Sequence, residues 1–209
     1  MKIPFQKYQG TGNDFVMVDA RSMDFHWTDD EIKKICSRKW GVGSDGLILI
    51  QQSNQADFRM VFYNPDASQS FCGNGARCAV AFFHQLVMAK EIYSFEAFDG
   101  IHYGEIGEDG FSVSMRPVNS GQDLPIGFYC HTGSPHLMVE IQYLDGYDVV
   151  KEGALRRYDE IFAPGGTNVN FIENVNGKWH MRTYERGVEN ETLSCGTGAT
   201  AVGLYLMHR

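Results

Sequence analysis

A five-residue phrase occurs twice in the chain, Cys72-Gly73-Asn74-Gly75-Ala76 and Cys195-Gly196-Thr197-Gly198-Ala199, and each copy opens a small, apolar segment that can run as a helix. A second pair of matching phrases lies upstream, Thr11-Gly12-Asn13-Asp14-Phe15-Val16-Met17-Val18-Asp19 and Thr132-Gly133-Ser134-Pro135-His136-Leu137-Met138-Val139-Glu140. Thr11 to Thr132 is a step of 121 residues and Cys72 to Cys195 a step of 123, a slippage that a loop absorbs. One match can be chance, but two at a common offset mark a duplicated domain. The chain therefore reads as two similar units, residues 1–117 around Cys72 and residues 118–209 around Cys195, each long enough to bury a core. Only 14 residues follow Cys195, far fewer than the first copy uses after Cys72, so the repeat predicts a second unit without its closing strands, in a truncated chain.

Strand and turn signals place the motifs. Strands are predicted at 3–8 and 15–19 around the polar turn 9–14, then at 47–51 and 57–63. Thr28 is placed to cap a helix over 29–38, with Asp29, Asp30 and Glu31 in its first turn favoured by the helix dipole. A turn-rich loop leads to Cys72, and residues 76–88 are apolar on nearly every side, the mark of a buried helix. Strands at 93–98, 101–106 and 111–115 complete the first copy. The second restarts near Gly127 and repeats the plan: two strands about the turn at Thr132, a short polar stretch, strands at 167–173 and 179–184, and a helix at 199–207.

The net charge of −8 argues against a nucleic-acid or anionic-membrane surface, both of which need clustered Lys and Arg. The amino terminus lacks the apolar core of a signal peptide and no stretch is long enough to span a membrane, so the cytoplasm is the expected location. Five cysteines, odd in number and irregularly spaced, suggest neither a disulfide framework nor a zinc site, and no metal is expected.

A helix amino terminus offers unpaired amides and a partial positive charge, a ready seat for a carboxylate or phosphate, and its glycines let the backbone approach such a ligand. The same field lowers the pKa of a cysteine placed there. Each phrase thus supplies a reactive sulfur and an anion cradle. Two thiols on opposite faces of one carbon suggest removal of a proton by one and return by the other, inverting a stereocentre without a cofactor. The competing reading of each cysteine is a buried, small apolar residue, to which Cys36, Cys78 and Cys130 are assigned.

Gly10-Thr11-Gly12-Asn13-Asp14-Phe15, Tyr63-Asn64, Phe71-Cys72-Gly73-Asn74-Gly75-Ala76-Arg77-Cys78, Gly166-Thr167-Asn168-Val169-Asn170-Phe171 and the run from Tyr184-Glu185-Arg186-Gly187 to Cys195-Gly196-Thr197-Gly198-Ala199-Thr200 resemble the diaminopimelate epimerases. The resemblance runs from about residue 4 to the end of the chain. It implies a pyridoxal-independent isomerase interconverting LL- and meso-diaminopimelate on the way to lysine and peptidoglycan. It also implies an α/β (α+β) fold of two pseudo-symmetric domains, each a strand barrel wrapped around a central helix, an active site in the cleft between them, and a homodimer. Position by position, Cys72 and Cys195 match the family's acid and base. Asn13, Asn64 and Asn168 match side-chain ligands of the substrate, and Gly73, Asn74, Gly196 and Thr197 match the cradles for its reacting carboxylate. Glu185 matches a residue that holds a proton for Cys195 and is also available to a substrate amine. Arg186 matches the partner of the distal carboxylate, and His136 the histidine that serves Cys72; its competing reading is a satisfied structural histidine.

Three departures from the family stand out: Ser134 where many members have Asn, Gly46 where some have Gln, and the missing closing strands of the second unit. Three rival functions share parts of the pattern. A proline-racemase-like enzyme has no need of Arg186 and Asn64. A thiol hydrolase built on Cys72 and His136 would leave the second phrase idle. A dicarboxylate-binding protein would not exchange a substrate α-proton.

Overall fold

The computed structural model describes residues 2–24, 26–88, 90–118 and 120–209; Met1, where the predicted first unit begins, lies outside the described residues. The chain divides into two compact units, Met1–Ser114 and Met115–Arg209. The fold is mixed α/β, with one sheet in each unit.

In the first unit, strands β1 (Gln6–Gly10), β2 (Asn13–Asp19), β3 (Gly46–Gln51), β4 (Phe58–Tyr63), β5 (Ile92–Ala97), β6 (Gly100–Gly107) and β7 (Gly110–Val113) lie side by side in chain order. Helix α1 (Asp29–Cys36) connects β2 to β3, and α2 (Gly73–Val87) connects β4 to β5. Both connected pairs are parallel and the remaining neighbours antiparallel. Strand β3 reads Leu47-Ile48-Leu49-Ile50 with every side chain buried, because both faces of the sheet are covered. Ile48 and Ile50 join Phe15, Met17, Phe58, Met60 and Phe62 against α2, while Leu47 and Leu49 join Val16, Val18 and Val61 against α1. Helix α2 touches β1 and β2 at one end of the sheet and β6 and β7 at the other, so the sheet curls around it.

A capping box starts α1. Glu31 N–H donates to Thr28 Oγ1 at 3.3 Å and Thr28 N–H donates to Glu31 Oε2 at 2.9 Å. The helix stops at Cys36, two residues short of the predicted end, where Ser37 turns extended.

In the second unit the sheet order is β13 (Asn190–Thr192), β12 (Lys178–Glu185), β11 (Asn168–Val175), β10 (Pro135–Glu140), β9 (Gly127–His131) and β8 (Gly121–Leu124). The β9–β10–β11–β12 run is antiparallel, parallel, antiparallel, the same sequence of pairings as β1–β2–β3–β4. The stretch predicted as polar and irregular contains helix α3 (Val149–Arg157), which stands between β10 and β11 as α1 stands between β2 and β3. Gly153 sits in its middle because a Cβ there would lie 2.4 Å from Tyr184 Cβ, so only glycine lets α3 approach β12 this closely. Helix α4 (Gly196–His208) packs on β9, β10 and β11, with Met138, Ile172, Ala201 and Val202 between them, and leaves Met207 exposed.

Candidate active site

Both cysteines stand at the N-cap of a helix, in nearly the same backbone conformation: φ −128°, ψ 112° at Cys72 and φ −134°, ψ 109° at Cys195. Each sulfur accepts a hydrogen bond from the amide three residues on, Gly75 N–H to Cys72 Sγ and Gly198 N–H to Cys195 Sγ, both at 3.4 Å. A cap residue uses its side chain to satisfy an orphan amide of the first turn, and here sulfur does so in place of the usual oxygen. The helices consequently begin at Gly73 and Gly196, three residues before the predicted starts.

In the first unit the β1–β2 hairpin rests on the first turn of α2. A Cβ at Gly10 would lie 3.1 Å from the backbone oxygen of Asn74, and Thr11 Oγ1 donates to Asn74 Oδ1 at 3.3 Å. Arg77 donates to the same Oδ1 at 2.6 Å, orienting the buried Asn74. Asn13 opens β2, and its Oδ1 is buried without a hydrogen-bond partner among the described residues, an acceptor held ready for a donor. Its neighbour Asp14 is clamped by Arg38 at 2.6 Å and by Lys7, which also donates to Gly43 O at 2.5 Å. Burial opposes ionisation of Asp14, yet these two cations hold its pKa down at about 2. Asn64 Nδ2 donates to Ser68 O, Ser68 Oγ and Ser70 Oγ at 3.1 to 3.2 Å, closing the loop that delivers Cys72. A side chain at Gly46 has no room, since a Cβ would lie 2.3 Å from the Phe62 ring and 2.8 Å from Tyr63 O.

In the second unit a buried hydrogen-bond cluster surrounds Cys195. His136, 0% exposed, has Nε2 2.9 Å from both Ser134 Oγ and Thr197 Oγ1, and Nδ1 2.9 Å from Asn170 Nδ2. Thr197 Oγ1 lies 3.3 Å from Cys195 Sγ, so the link from His136 to a sulfur within this unit runs through Thr197 to Cys195. Burial, and then the charges of His131 and Arg186, push the His136 pKa down to about 3, leaving the ring neutral. Asn168 spends Nδ2 on Ser134 Oγ and Pro135 O, and its Oδ1 accepts from Arg186 N–H at 2.7 Å. That set of bonds ties the β10 turn to the end of β12. Ser134, the departure from the family pattern, is a hub of the cluster, bonded to His136, Thr197 and Asn168. The Arg186 side chain is exposed in its unit, and among the described residues its guanidinium has no hydrogen bond or ion pair. Nor do the described residues bring together three side chains able to hold a metal ion.

The expected lowering of both thiol pKa values fails at Cys195. Burial, with the sulfur's residue only 8% exposed, and then the charge of Glu185 raise its pKa to about 11, against smaller opposing effects from the bonds to Thr197 and Gly198. Desolvation of the thiolate outweighs the helix field, and Cys195 rests as a thiol. Asn170, Thr183 and the Thr197 hydroxyl are the members of this cluster that motif reading left without a role. Their signal is polar residues alternating along a strand whose other positions are buried and apolar: Asn168 and Asn170 interleave with Val169 and Phe171 on β11.

A family model described as diaminopimelate epimerase matches residues 5–119 and 128–209. A diaminopimelate epimerase from Flavobacterium psychrophilum is 45% identical over 204 residues, covering 96% of this chain and 80% of the relative. One from Aquifex aeolicus is 38% identical over 222 residues, covering 96% and 80%. Among solved structures, a phenazine biosynthesis protein of the PhzF family from Bacillus anthracis superposes with a TM-score of 0.75 at 21% identity, covering 98% of this chain and 80% of the other. A hydroxyproline epimerase from Agrobacterium vitis superposes with a TM-score of 0.66 at 15% identity, covering 98% and 76%. These two likenesses establish the fold.

Proposed function

The chain belongs to the diaminopimelate epimerase family, and on that premise we propose that it interconverts LL- and meso-diaminopimelate by two-thiol acid–base chemistry without a cofactor. The observation that carries this reading is the duplicated cap: two cysteines at equivalent positions, each with its sulfur on the amide three residues on, at the amino terminus of a helix. One sulfur, as thiolate, takes the α-proton from one face of the carbon; the other, as thiol, delivers a proton to the opposite face. The thiol state favoured at Cys195 supports it as the resting acid, which leaves Cys72 as the resting base. After one turnover the protons are exchanged and the reverse reaction is ready.

Glu185 sets the charge beside Cys195, and His136, neutral and bonded to Thr197, supports that cysteine from within the unit. The amides of Gly73, Asn74, Gly196 and Thr197, at the first turns of α2 and α4, suit the carboxylate on the reacting carbon. Asn13, with its orphaned carbonyl, suits a substrate ammonium; Asn64 and Glu185 add polar contacts; Asn168, its side chain spent within the unit, acts by holding the Arg186 backbone in place; Arg186 suits the distal carboxylate. A cytoplasmic homodimer working in lysine and peptidoglycan synthesis belongs to the same proposal. Among the described residues no helix is long and apolar enough to cross a membrane.

The test is exchange of the α-proton of LL-diaminopimelate with heavy water, followed by NMR. Exchange is expected in the native chain, and interconversion of the LL and meso forms should fall at least about a hundredfold in Cys72→Ser and in Cys195→Ser. Proline should exchange poorly, because it leaves Arg186 without a distal carboxylate to pair. No exchange in the native chain, interconversion that survives either substitution, or equal rates on proline would overturn the reading.

A further inference from the structure

The register of the two sheets matches their cysteine helices position for position. Phe15 lies opposite Gly46 and Ile48 opposite Phe62; His136 lies opposite Asn168 and Asn170 opposite Thr183. Phe15, Ile48 and Phe62 beneath α2 are therefore the counterparts of His136, Asn170 and Thr183 beneath α4. The glycine in the cap confirms the match: a Cβ on Gly75 would meet Ile48 and Phe15, and one on Gly198 would meet Asn170 and His136. Where one helix rests on an apolar trio, the other rests on a hydrogen-bonded one.

The direction of each bond in the second trio follows from its neighbour. Thr183 Oγ1 donates to Asn170 Oδ1 at 2.9 Å, which fixes the amide and turns Nδ2 toward His136 Nδ1 and Leu137 O. Two N–H donors cannot face one another at 2.9 Å, so Nδ1 is the bare nitrogen and the single ring proton of the neutral imidazole sits on Nε2. Nε2–H then donates into the Thr197 and Ser134 hydroxyls, both at 2.9 Å. This leaves the Thr197 hydroxyl proton to go to sulfur at 3.3 Å or to Ser134 Oγ at 3.2 Å.

We propose that Asn170 is a positioning residue: by holding His136 as the Nε2–H tautomer, it keeps the Thr197 hydroxyl free to donate to Cys195 whenever that sulfur loses its proton. When Cys195 is a thiol, S–H donates to Thr197 Oγ1 and the Thr197 proton turns to Ser134. When Cys195 is a thiolate, the Thr197 proton turns to sulfur. No proton leaves the chain of bonds; only hydroxyls rotate. With the opposite tautomer, the Nε2 lone pair would accept a hydrogen bond from Thr197 or Ser134 and so compete with sulfur for the Thr197 proton. The other groups acting on this pair are Glu185 on β12 and the amides of Thr197 and Gly198 on α4 for Cys195, and His131 and Arg186 for His136. This inference rests on the reading of Cys195 as an acid–base group, but its test reads the ring and the sulfur directly.

Nitrogen-15 NMR of histidine-labelled protein, with the His136 signals assigned by their loss in His136→Gln, should show Nε2 protonated and Nδ1 bare. In Asn170→Asp the carboxylate accepts from the ring, so Nδ1 should become the protonated nitrogen. The midpoint of the pH dependence of Cys195 alkylation by iodoacetamide, followed by peptide mass, should then rise by about one unit. Turnover should fall at least about tenfold in kcat with KM nearly unchanged. Thr183→Val, a milder change that frees the amide to flip, should give both tautomers. A native His136 protonated on Nδ1 would overturn the inference, as would a reversed tautomer with an unmoved alkylation profile. If both readouts behave as stated while diaminopimelate exchanges no proton, the epimerase reading fails and the tautomer lock stands.

Discussion

At the scale of single residues, His136 shows how burial sets chemistry. Its pKa of about 3 in the fold lies below the ordinary 6.5, so between those values the unfolded chain binds a proton that the folded one refuses. Stability contributed by the neutral ring is whole above pH 6.5 and drains away as pH falls toward 3. The slope is about 1.4 kcal/mol per unit, or about 2 to 3 kcal/mol by pH 4.5. Urea midpoints measured from pH 7 to 4.5 should fall for the native chain and fall less for His136→Gln. Asp14, held at about 2, loses its contribution only below pH 3.8, outside this window. The identity of the candidate residues was legible in the motifs; the state of Cys195 was not. A helix amino terminus is visible in a sequence, whereas the depth at which a sulfur is buried and its distance from Glu185 exist only once the chain has folded.

At the scale of elements, the cap glycines carry the tightest packing. A Cβ at Gly198 would lie 2.5 Å from Asn170 Oδ1, while one at Gly75 would lie 2.9 Å from Ile48 Cδ1. The Ile48 methyl is the far end of a pliable side chain; the Asn170 amide is held by Thr183, His136 and Leu137. Gly198→Ala should therefore cost about 2 to 3 kcal/mol and Gly75→Ala about 1 kcal/mol less, measured by denaturant unfolding. Equal costs would mean the Asn170 amide gives way freely. Strands rich in Val, Ile, Leu and Phe were readable because their runs are long and apolar. Helix α3 was not: Gly153 and a polar sequence hide it, and what holds it is contact with Tyr184, a partner far along the chain. The helix starts were misread for a related reason, since Gly73 and Gly75 look like turn residues until the sulfur cap is seen.

At the scale of the whole molecule, the buried clusters formed by the described residues each draw on a single unit. Gly198→Ala should accordingly speed amide exchange across the strands and helices of residues 120–209 and leave α2 and β2–β4 protected, as read by hydrogen–deuterium exchange mass spectrometry. Equal loosening of both would mean the two cores unfold together. Duplication was legible because a repeat search rewards sameness at a fixed offset. The same search is blind to what differs, and the exchange of Phe15, Ile48 and Phe62 for His136, Asn170 and Thr183 became visible only through strand register.

That exchange means the two halves are no longer interchangeable parts. An interior of phenylalanine and isoleucine contributes roughly 1.5 to 3 kcal/mol per side chain, against about 1 kcal/mol for a satisfied buried hydrogen bond. By this measure the second half rests on the weaker foundation. Beneath Cys195 the chain thus gives up packing energy for a hydrogen-bonded support that an apolar interior could not provide.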